Sequence, residues 1–353
     1  MTRVYITIDT ECREERHVGG RVQPVAGYDL RIWGRFANQR RDLGIRLLMD
    51  QLEANDLRAT FYLDPIGSHS FGKAGLAPIC EELRGRGHDV QLHLHPIQRE
   101  ADWISRGVEP PSDHIADYDL EGQAALLSEG LDLLIEAGVP RDELVSFRAG
   151  NFGASNDTWR AMAKVGLPLS SNYNPCYADK GMRIVYEGDA VNEQAPAGLF
   201  DTGVSHDGGC RVWELPISNF VEANGGHRHF QITAISLGEM KDVLLQAHAL
   251  GIEEVTVVTH SFEIYHLDSA ATRRGRLNRV NFYRLWGLCR FLRKHRDKFE
   301  VETVGELGRR LRDNPEAAAG RVISPPLPRG RRVTKLGRLL QQIYKRAEAR
   351  LPL

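Results

Sequence analysis

The sequence predicts an α/β fold of the (β/α) barrel kind, and three observations point to it. Apolar strand-like runs alternate with helical patterns along most of the 353 residues, the order that gives parallel strands joined by crossover helices. Charged or imidazole side chains stand at the C-terminal ends of several of these runs, where barrel active sites are assembled. No GxGxxG follows any strand, which weighs against the alternative, an open doubly wound sheet that binds a dinucleotide.

The elements follow in order. Val4 to Ile8 reads as a strand, and Leu43 to Leu57 as a helix with Ile45, Leu48, Met49 and Leu52 at helical spacing. Thr60 to Leu63 is a short strand, Pro78 to Gly85 a helix, His88 to His95 a strand and Glu121 to Ala137 a long helix closed by Gly138. Leu144 to Phe147 is a strand, Asp157 to Val165 a helix and Leu167 to Ser171 a strand. Arg211 to Pro216 and Val255 to His260 are strands with a helix from Leu237 to Leu250 between them; a helix from Asn281 to His295 and a strand from Phe299 to Thr303 complete the series. Roughly seven or eight such strands suit a barrel, complete or not. Two long segments, Glu14 to Arg40 and Asn174 to Gly209, fit neither period; loops of that length inside a compact domain are usually functional, so both are expected to wall the site.

Composition narrows the function. With 42% hydrophobic and 26% charged residues and a formal net charge of −1, the chain is an ordinary globular protein and not a polyanion binder. Its five cysteines are scattered and form no CxxC pair, which argues against a disulfide framework and a cysteine zinc site. The start MTRVYITIDTE has an acidic residue where an apolar signal region would lie, and no apolar run is long enough to span a membrane. A cytoplasmic location is expected.

The first strand carries Asp9 and Glu11, two residues apart and so on one face, opposite Val4, Ile6 and Ile8. In HDVQLHLHP the alternation puts His93 and His95 on one face and Val90, Leu92 and Leu94 on the other. Two imidazoles at a strand end, with a carboxylate, are the usual ligands of a catalytic divalent metal; singly, each would more often be structural. Arg148 follows a short apolar strand and His260 ends another. A rim ion pair and a capped core histidine are the plain alternatives for these two, but four strand ends bearing such groups favour a site.

The segments ITIDTE (6–11), ATFYL (59–63), RGHDVQLHLHP (86–96), FRAGNFG (147–153), LSSNYNP (169–175), VVTHSFE (257–263) and FEVETVGEL (299–307) together resemble the polysaccharide deacetylases, carbohydrate esterase family 4, with its nodulation-type chitooligosaccharide deacetylase domain. The resemblance spans most of residues 1–310. It implies a distorted, seven-stranded (β/α) barrel and the removal of an N-acetyl group from an amino sugar by water activated at a divalent metal. It implies Asp9 as base, Glu11, His93 and His95 as metal ligands, Arg148 as the group orienting the base, and His260 as acid. The chain departs from the common motifs. Thr10 stands between the two acids where the family usually has adjacent aspartates, so Asp9 and Glu11 could exchange roles. Ile97 stands where the second histidine usually lies, so His95 serves instead. Trp213 and Glu214 are the candidates for supporting His260, and a backbone N–H near Asn151 for binding the oxyanion. Zinc heads the candidate metals, with cobalt, nickel or manganese also suited to such ligands. Alternatives are hydrolysis of a non-sugar amide or formyl group by the same fold, and a glycan-binding relative without catalysis.

Residues 1–315 are expected to form the barrel domain and 316–353 an extension, with a Pro- and Arg-rich linker, SPPLPRGRR (324–332), before a basic amphipathic helix. Leu336, Leu340, Ile343, Ala347 and Leu351 form its stripe among seven lysines and arginines. It packs back on the domain, stays mobile, or lies on an anionic membrane surface, near a lipid-linked sugar substrate. Nucleic acid is not an expected partner, since no aromatic platform accompanies the cations.

Overall fold

The computed structural model describes residues 1–177, 182–186, 197–206, 210–222, 224–320 and 326–350, with side chains to residue 345. Part of the segment 174–209, the start of the 324–332 linker, and Leu351 of the terminal stripe therefore lie outside the described residues, as does the side chain of Ala347.

The strands are β1 (Thr2–Thr10), β2 (Arg16–Val18), β3 (Arg21–Gln23), β4 (Thr60–Leu63), β5 (Asp89–Leu94), β6 (Ser146–Ala149), β7 (Leu169–Ser170), β8 (Phe200–Ser205), β9 (Arg211–Glu214), β10 (Asn219–Val221), β11 (His227–His229), β12 (Glu254–His260), β13 (Tyr265–Ser269), β14 (Arg274–Leu277) and β15 (Phe299–Glu302). The main sheet runs β12-β1-β4-β5-β6-β7-β9-β8, with β15 also paired to β1. From β12 to β9 every pairing is parallel; β8 closes the path antiparallel to β9. The result is a curled half-barrel wrapped by helices. Its path has eight strands, seven of them mutually parallel, and among the described residues no ladder joins β12 to β8. The eighth strand had no counterpart in the sequence reading because β8 (FDTGVS) is interrupted by Gly203 at positive φ and shifts register against β9, so its alternation is short and broken.

The helices sit where their periodicity places them: Ile45–Glu53, Leu76–Gly85, Leu120–Glu136, Asn156–Val165, Leu237–Ala249 and Arg279–Lys294. Several starts are capped. Asp119 accepts from the N–H of Gly122, and Ser236 forms a reciprocal capping box with Glu239, which satisfies N–H groups the helix cannot use itself. A further helix, Val304–Asp313, is opened by the Thr303–Glu306 capping box.

The alternation on β1 sorts the two faces. Val4, Ile6 and Ile8 join the large apolar cluster under the helices, with Val90, Leu92 and Leu94 of β5. Tyr5 belongs to a smaller cluster inside the barrel with Tyr62, Leu169, Trp213 and Leu215. The remaining inward positions are polar and buried: Thr7, Asp9, Gln91, His93 and Arg148. A polar interior is costly unless each group is paired, so its hydrogen bonds define the site.

Candidate active site

The inward residues meet at the C-terminal ends of β1, β5, β6 and β12. Parallel register sets Asp9 beside His260 and His93 beside Arg148. Glu11 follows β1, and His95 follows β5.

Glu11, His93 and His95 are all buried, and their ligand atoms lie within 4.8 Å of one another. His93 Nε2 is 3.2 Å and His95 Nε2 2.9 Å from Glu11 Oε2. Both rings are aimed by their other nitrogen. His93 Nδ1 donates to the Arg148 carbonyl at 2.8 Å, and His95 Nδ1 to Asp113 at 2.9 Å. Those contacts turn Nε2 of each ring toward Glu11, the usual support for a metal-binding histidine. The donor set fits a divalent cation: two aimed imidazole nitrogens and one carboxylate converge on a point, so this group could hold a metal ion. Burial opposes the charge on Glu11, yet the His95 and His93 imidazoles hold its carboxyl well below the usual range. Burial likewise disfavours a charged His95, but Asp113 and Glu11 raise it well above an ordinary histidine.

Asp9 lies apart from the imidazole pair. Arg148 donates from Nη1 to Asp9 Oδ1 at 2.7 Å and to Thr7 Oγ1 at 2.8 Å. The other guanidinium atoms are used as well: Nε reaches the Ser171 carbonyl at 3.1 Å, Nη2 reaches Ser171 Oγ at 2.9 Å, and the plane lies 4.2 Å over the Tyr62 ring. A fully buried arginine so anchored holds Asp9 in one orientation. Asp9 Oδ2 faces His260 Nε2 at 4.0 Å.

His260 is supported by Glu263, which accepts from His260 Nδ1 at 3.0 Å, Thr259 Oγ1 at 2.8 Å and Gln231 Nε2 at 2.6 Å. Burial works against the charge on His260, but the Glu263 carboxylate, with help from Asp9, pushes its pKa up to about 9. Glu214, one of the two residues expected to support His260, is elsewhere. It lies buried against Ser170 Oγ, and it accepts from Trp159 Nε1 at 3.0 Å and from the N–H groups of Asn172 and Tyr173 at 2.7 and 2.9 Å. It shapes the turn after β7, whose Asn172 Oδ1 in turn takes the Ala149 N–H at 2.6 Å. Trp213 packs inside the barrel. Asn151 sits in the left-handed region at φ 54°, and its side chain donates to Asp113 at 2.7 Å.

Sequence reasoning thus located all six residues that meet here and missed four neighbours. Glu263 stands three residues after His260 and could have been found by that spacing. Asp64 follows the apolar run TFYL much as Asp9 ends its own; burial pushes its pKa up to about 7. Asp113 lies in a loop with no periodicity to mark it. Arg31 comes from the segment 14–40 expected to wall the site. It stands 3.6 Å from Glu11 Oε1 with its guanidinium over the Phe262 ring.

No protein-family model matches this sequence, and no curated protein matches it either. Solved structures do show a likeness. One is a protein from Mycobacterium smegmatis assigned as a polysaccharide deacetylase (15% identity, TM-score 0.48, 80% of this chain and 81% of that one). Another is a family 4 carbohydrate esterase from Streptomyces lividans in complex with acetate (12%, 0.42, 92% and 98%). A third, a 4-alpha-glucanotransferase from Thermococcus litoralis, reaches the same TM-score of 0.48 at 10% identity, over 87% of this chain and 40% of that one. Several of the similar structures are polysaccharide or peptidoglycan deacetylases, the family the motifs resemble. Identities and scores this low carry no argument about what this chain acts on, so the functional reading rests on the site.

Proposed function

We propose that this chain is a metal-dependent hydrolase that removes an N-acetyl group from an amino sugar in a glycan or glycan precursor. One observation carries the reading. Three side chains able to ligate a metal, a carboxylate locked by a buried arginine, and a carboxylate-supported histidine converge on one strand-end region, on three distinct sets of partners.

The division of labour follows from those partners. Glu11, His93 and His95 would hold a divalent cation, zinc first on the two-histidine, one-carboxylate set, with cobalt, nickel or manganese close behind. When bound, such a cation supplies a Lewis acid that lowers the pKa of water and polarises a carbonyl. Asp9 is the base. Arg148 keeps it oriented, so that Oδ2, the oxygen not bound to Arg148, takes the proton of the attacking water. His260 is the acid. An amine is a poor leaving group, and a histidine still protonated near neutral pH delivers a proton to the nitrogen as the C–N bond breaks. Glu263 holds the imidazole with Nε2 toward Asp9 and stabilises its charge. Asp113, held by Asn151, does the same for the aim of His95.

The amino-sugar assignment rests on the motif resemblance and is tested by substrate choice. Purified protein loaded with divalent metal should release acetate from N-acetylated amino sugars, detected with an equal yield of free amine. Turnover confined to small cyclic amides or formamides would assign the same chemistry to a non-sugar substrate. Stoichiometric sugar binding without any release would leave a binding protein.

A further inference from the structure

The helix Arg332–Arg350 is docked with its polar side toward the domain. Arg338 is 3% exposed and pairs with Glu222, and its Nη1 lies 3.3 Å from Glu239. Gln341 accepts from Arg284 at 2.9 Å, the Thr334 carbonyl accepts from Ser236 at 3.2 Å, and Lys345 lies 3.5 Å from Asn281. The apolar side is left outward. Val333, Leu336, Leu339, Leu340, Ile343 and Tyr344 are between 46% and 82% exposed. At about 100° per residue they cover one arc of roughly 140°. A helix that serves only to cover a core does the reverse, and exposed apolar patches of this extent mark interaction surfaces.

What this face fits is set by its surroundings. The helix carries no carboxylate from Arg332 to Lys345; Arg331, just before it, pairs with Asp242 at 3.2 Å and Lys335 lies 3.8 Å from Glu222, which leaves Arg332 beside the apolar arc. Thr334 approaches Gly238 on the neighbouring helix Leu237–Ala249. Beyond it, the helix Arg279–Lys294 exposes Tyr283 and Trp286, lining a groove with Leu237, Lys241 and Arg290, and the Arg290 guanidinium lies 4.7 Å over the Trp286 ring. Outward leucines and isoleucine, flanking cations, and half-exposed Trp and Tyr are what a bilayer interface selects. A second copy of this chain fits less well. Two-fold pairing of this face would set Arg332 against its own copy, whereas an anionic surface complements it together with Arg290 and Lys241 of the adjoining groove. No helix among the described residues is long and apolar enough to cross a membrane, so the helix would lie on the surface.

We propose that this face docks reversibly on an anionic lipid bilayer, with Val333, Leu336, Leu340 and Ile343 entering the headgroup region. It is part of the domain surface and not a free tail, since the buried Arg338 pairs with Glu222 and lies against the buried Glu239. Docking would also place the site close to the bilayer. Lys345 touches Asn281, whose side chain donates to the Glu263 carbonyl at 2.6 Å, and Glu263 holds His260. The proposal does not depend on which reaction the site performs.

The test uses the full chain and vesicles of phosphatidylcholine with or without phosphatidylglycerol. Because Arg338 must stay, the variant replaces only outward residues: Leu336→Glu, Leu340→Glu and Ile343→Glu together. The wild type should co-sediment with the anionic vesicles at low salt and far less with neutral ones, and high salt should release it. The triple variant should bind at least about a hundredfold more weakly, with an unchanged unfolding curve and unchanged metal content. A second variant, Arg290→Gln with Arg332→Gln, should weaken binding by roughly twenty-fivefold, at about fivefold per cation. No binding to anionic vesicles overturns the proposal. Equal, salt-insensitive binding to neutral vesicles overturns its electrostatic basis. A wild-type dimer that the triple variant dissociates, with no vesicle binding, assigns the face to a second copy. If the triple variant itself unfolds, the Arg290/Arg332 variant decides: vesicle binding equal to wild type would overturn the proposal.

Discussion

Replacing Glu263 by glutamine removes the charge that keeps His260 protonated while preserving the shape that holds it. His260 Nδ1 lies 3.0 Å from Glu263 Oε1, and its pKa is pushed up to about 9. Burial pushes it down while Asp9 and Glu11 remain to raise it, so without the Glu263 charge it should fall toward the ordinary value of about 6.5. The sign follows from the role. The acid works in its protonated form, so in the wild type activity is present below about 9 and is lost as pH rises through that value. In Glu263→Gln it is lost as pH rises through about 6.5. At about pH 7.5 nearly all wild-type His260 is protonated against roughly one in ten in the variant, a loss of about tenfold in kcat, while near pH 5.5 the two should be within about twofold. The assay is a pH profile of kcat with metal supplied in excess at every point. A loss of the same size at every pH, with the alkaline limb unmoved, would show that Glu263 only holds structure and would refute the argument. Equal alkaline limbs with full activity would remove His260 from acid catalysis.

Other outcomes follow from the same geometry. Asp9→Asn should keep metal and lose roughly 10²–10⁴ in rate, whereas Glu11→Ala should lose metal affinity; metal analysis beside turnover tells them apart, and the opposite result exchanges the two roles. Arg148→Met leaves Asp9 buried without its counter-charge and should cost about 3–5 kcal/mol in urea unfolding; an unchanged midpoint would mean that the Asp9–Arg148 pair contributes nothing to the fold. A methyl group at Gly150 would stand 2.5 Å from His95 Cε1, so Gly150→Ala should weaken metal binding with the fold intact, seen as a lower affinity in a metal titration; wild-type affinity would mean the ring has room to move.

The fold was legible wherever a segment is buried on both faces or cleanly split between them. ITID and QLHLH show alternation because one side meets helices and the other a polar interior, and the same alternation pointed to Asp9 and His93. Legibility failed where partners are chosen in three dimensions. Asp113 comes from a loop whose local sequence carries no period, and Glu214, a candidate support for His260 on the motif resemblance, instead serves the turn after β7. The curl of the sheet was readable from the β–α alternation, but the antiparallel β8 was not, because Gly203 breaks its pattern. The stripe Leu336, Leu340 and Ile343 could be read as amphipathic, but only tertiary pairing through Arg338 shows that its apolar side faces outward.

The central claim is that Glu11, His93 and His95 hold the metal on which deacetylation depends. It is tested most directly by following acetate release from N-acetylated amino-sugar oligomers by one preparation as it is stripped with chelator and titrated with zinc, beside the His93→Ala, His95→Ala double variant. The account predicts no release from the stripped protein, recovery that saturates at about one equivalent per chain, and neither metal uptake nor release in the double variant. Full activity in the stripped protein, or a double variant that still binds one equivalent and turns over, would contradict it.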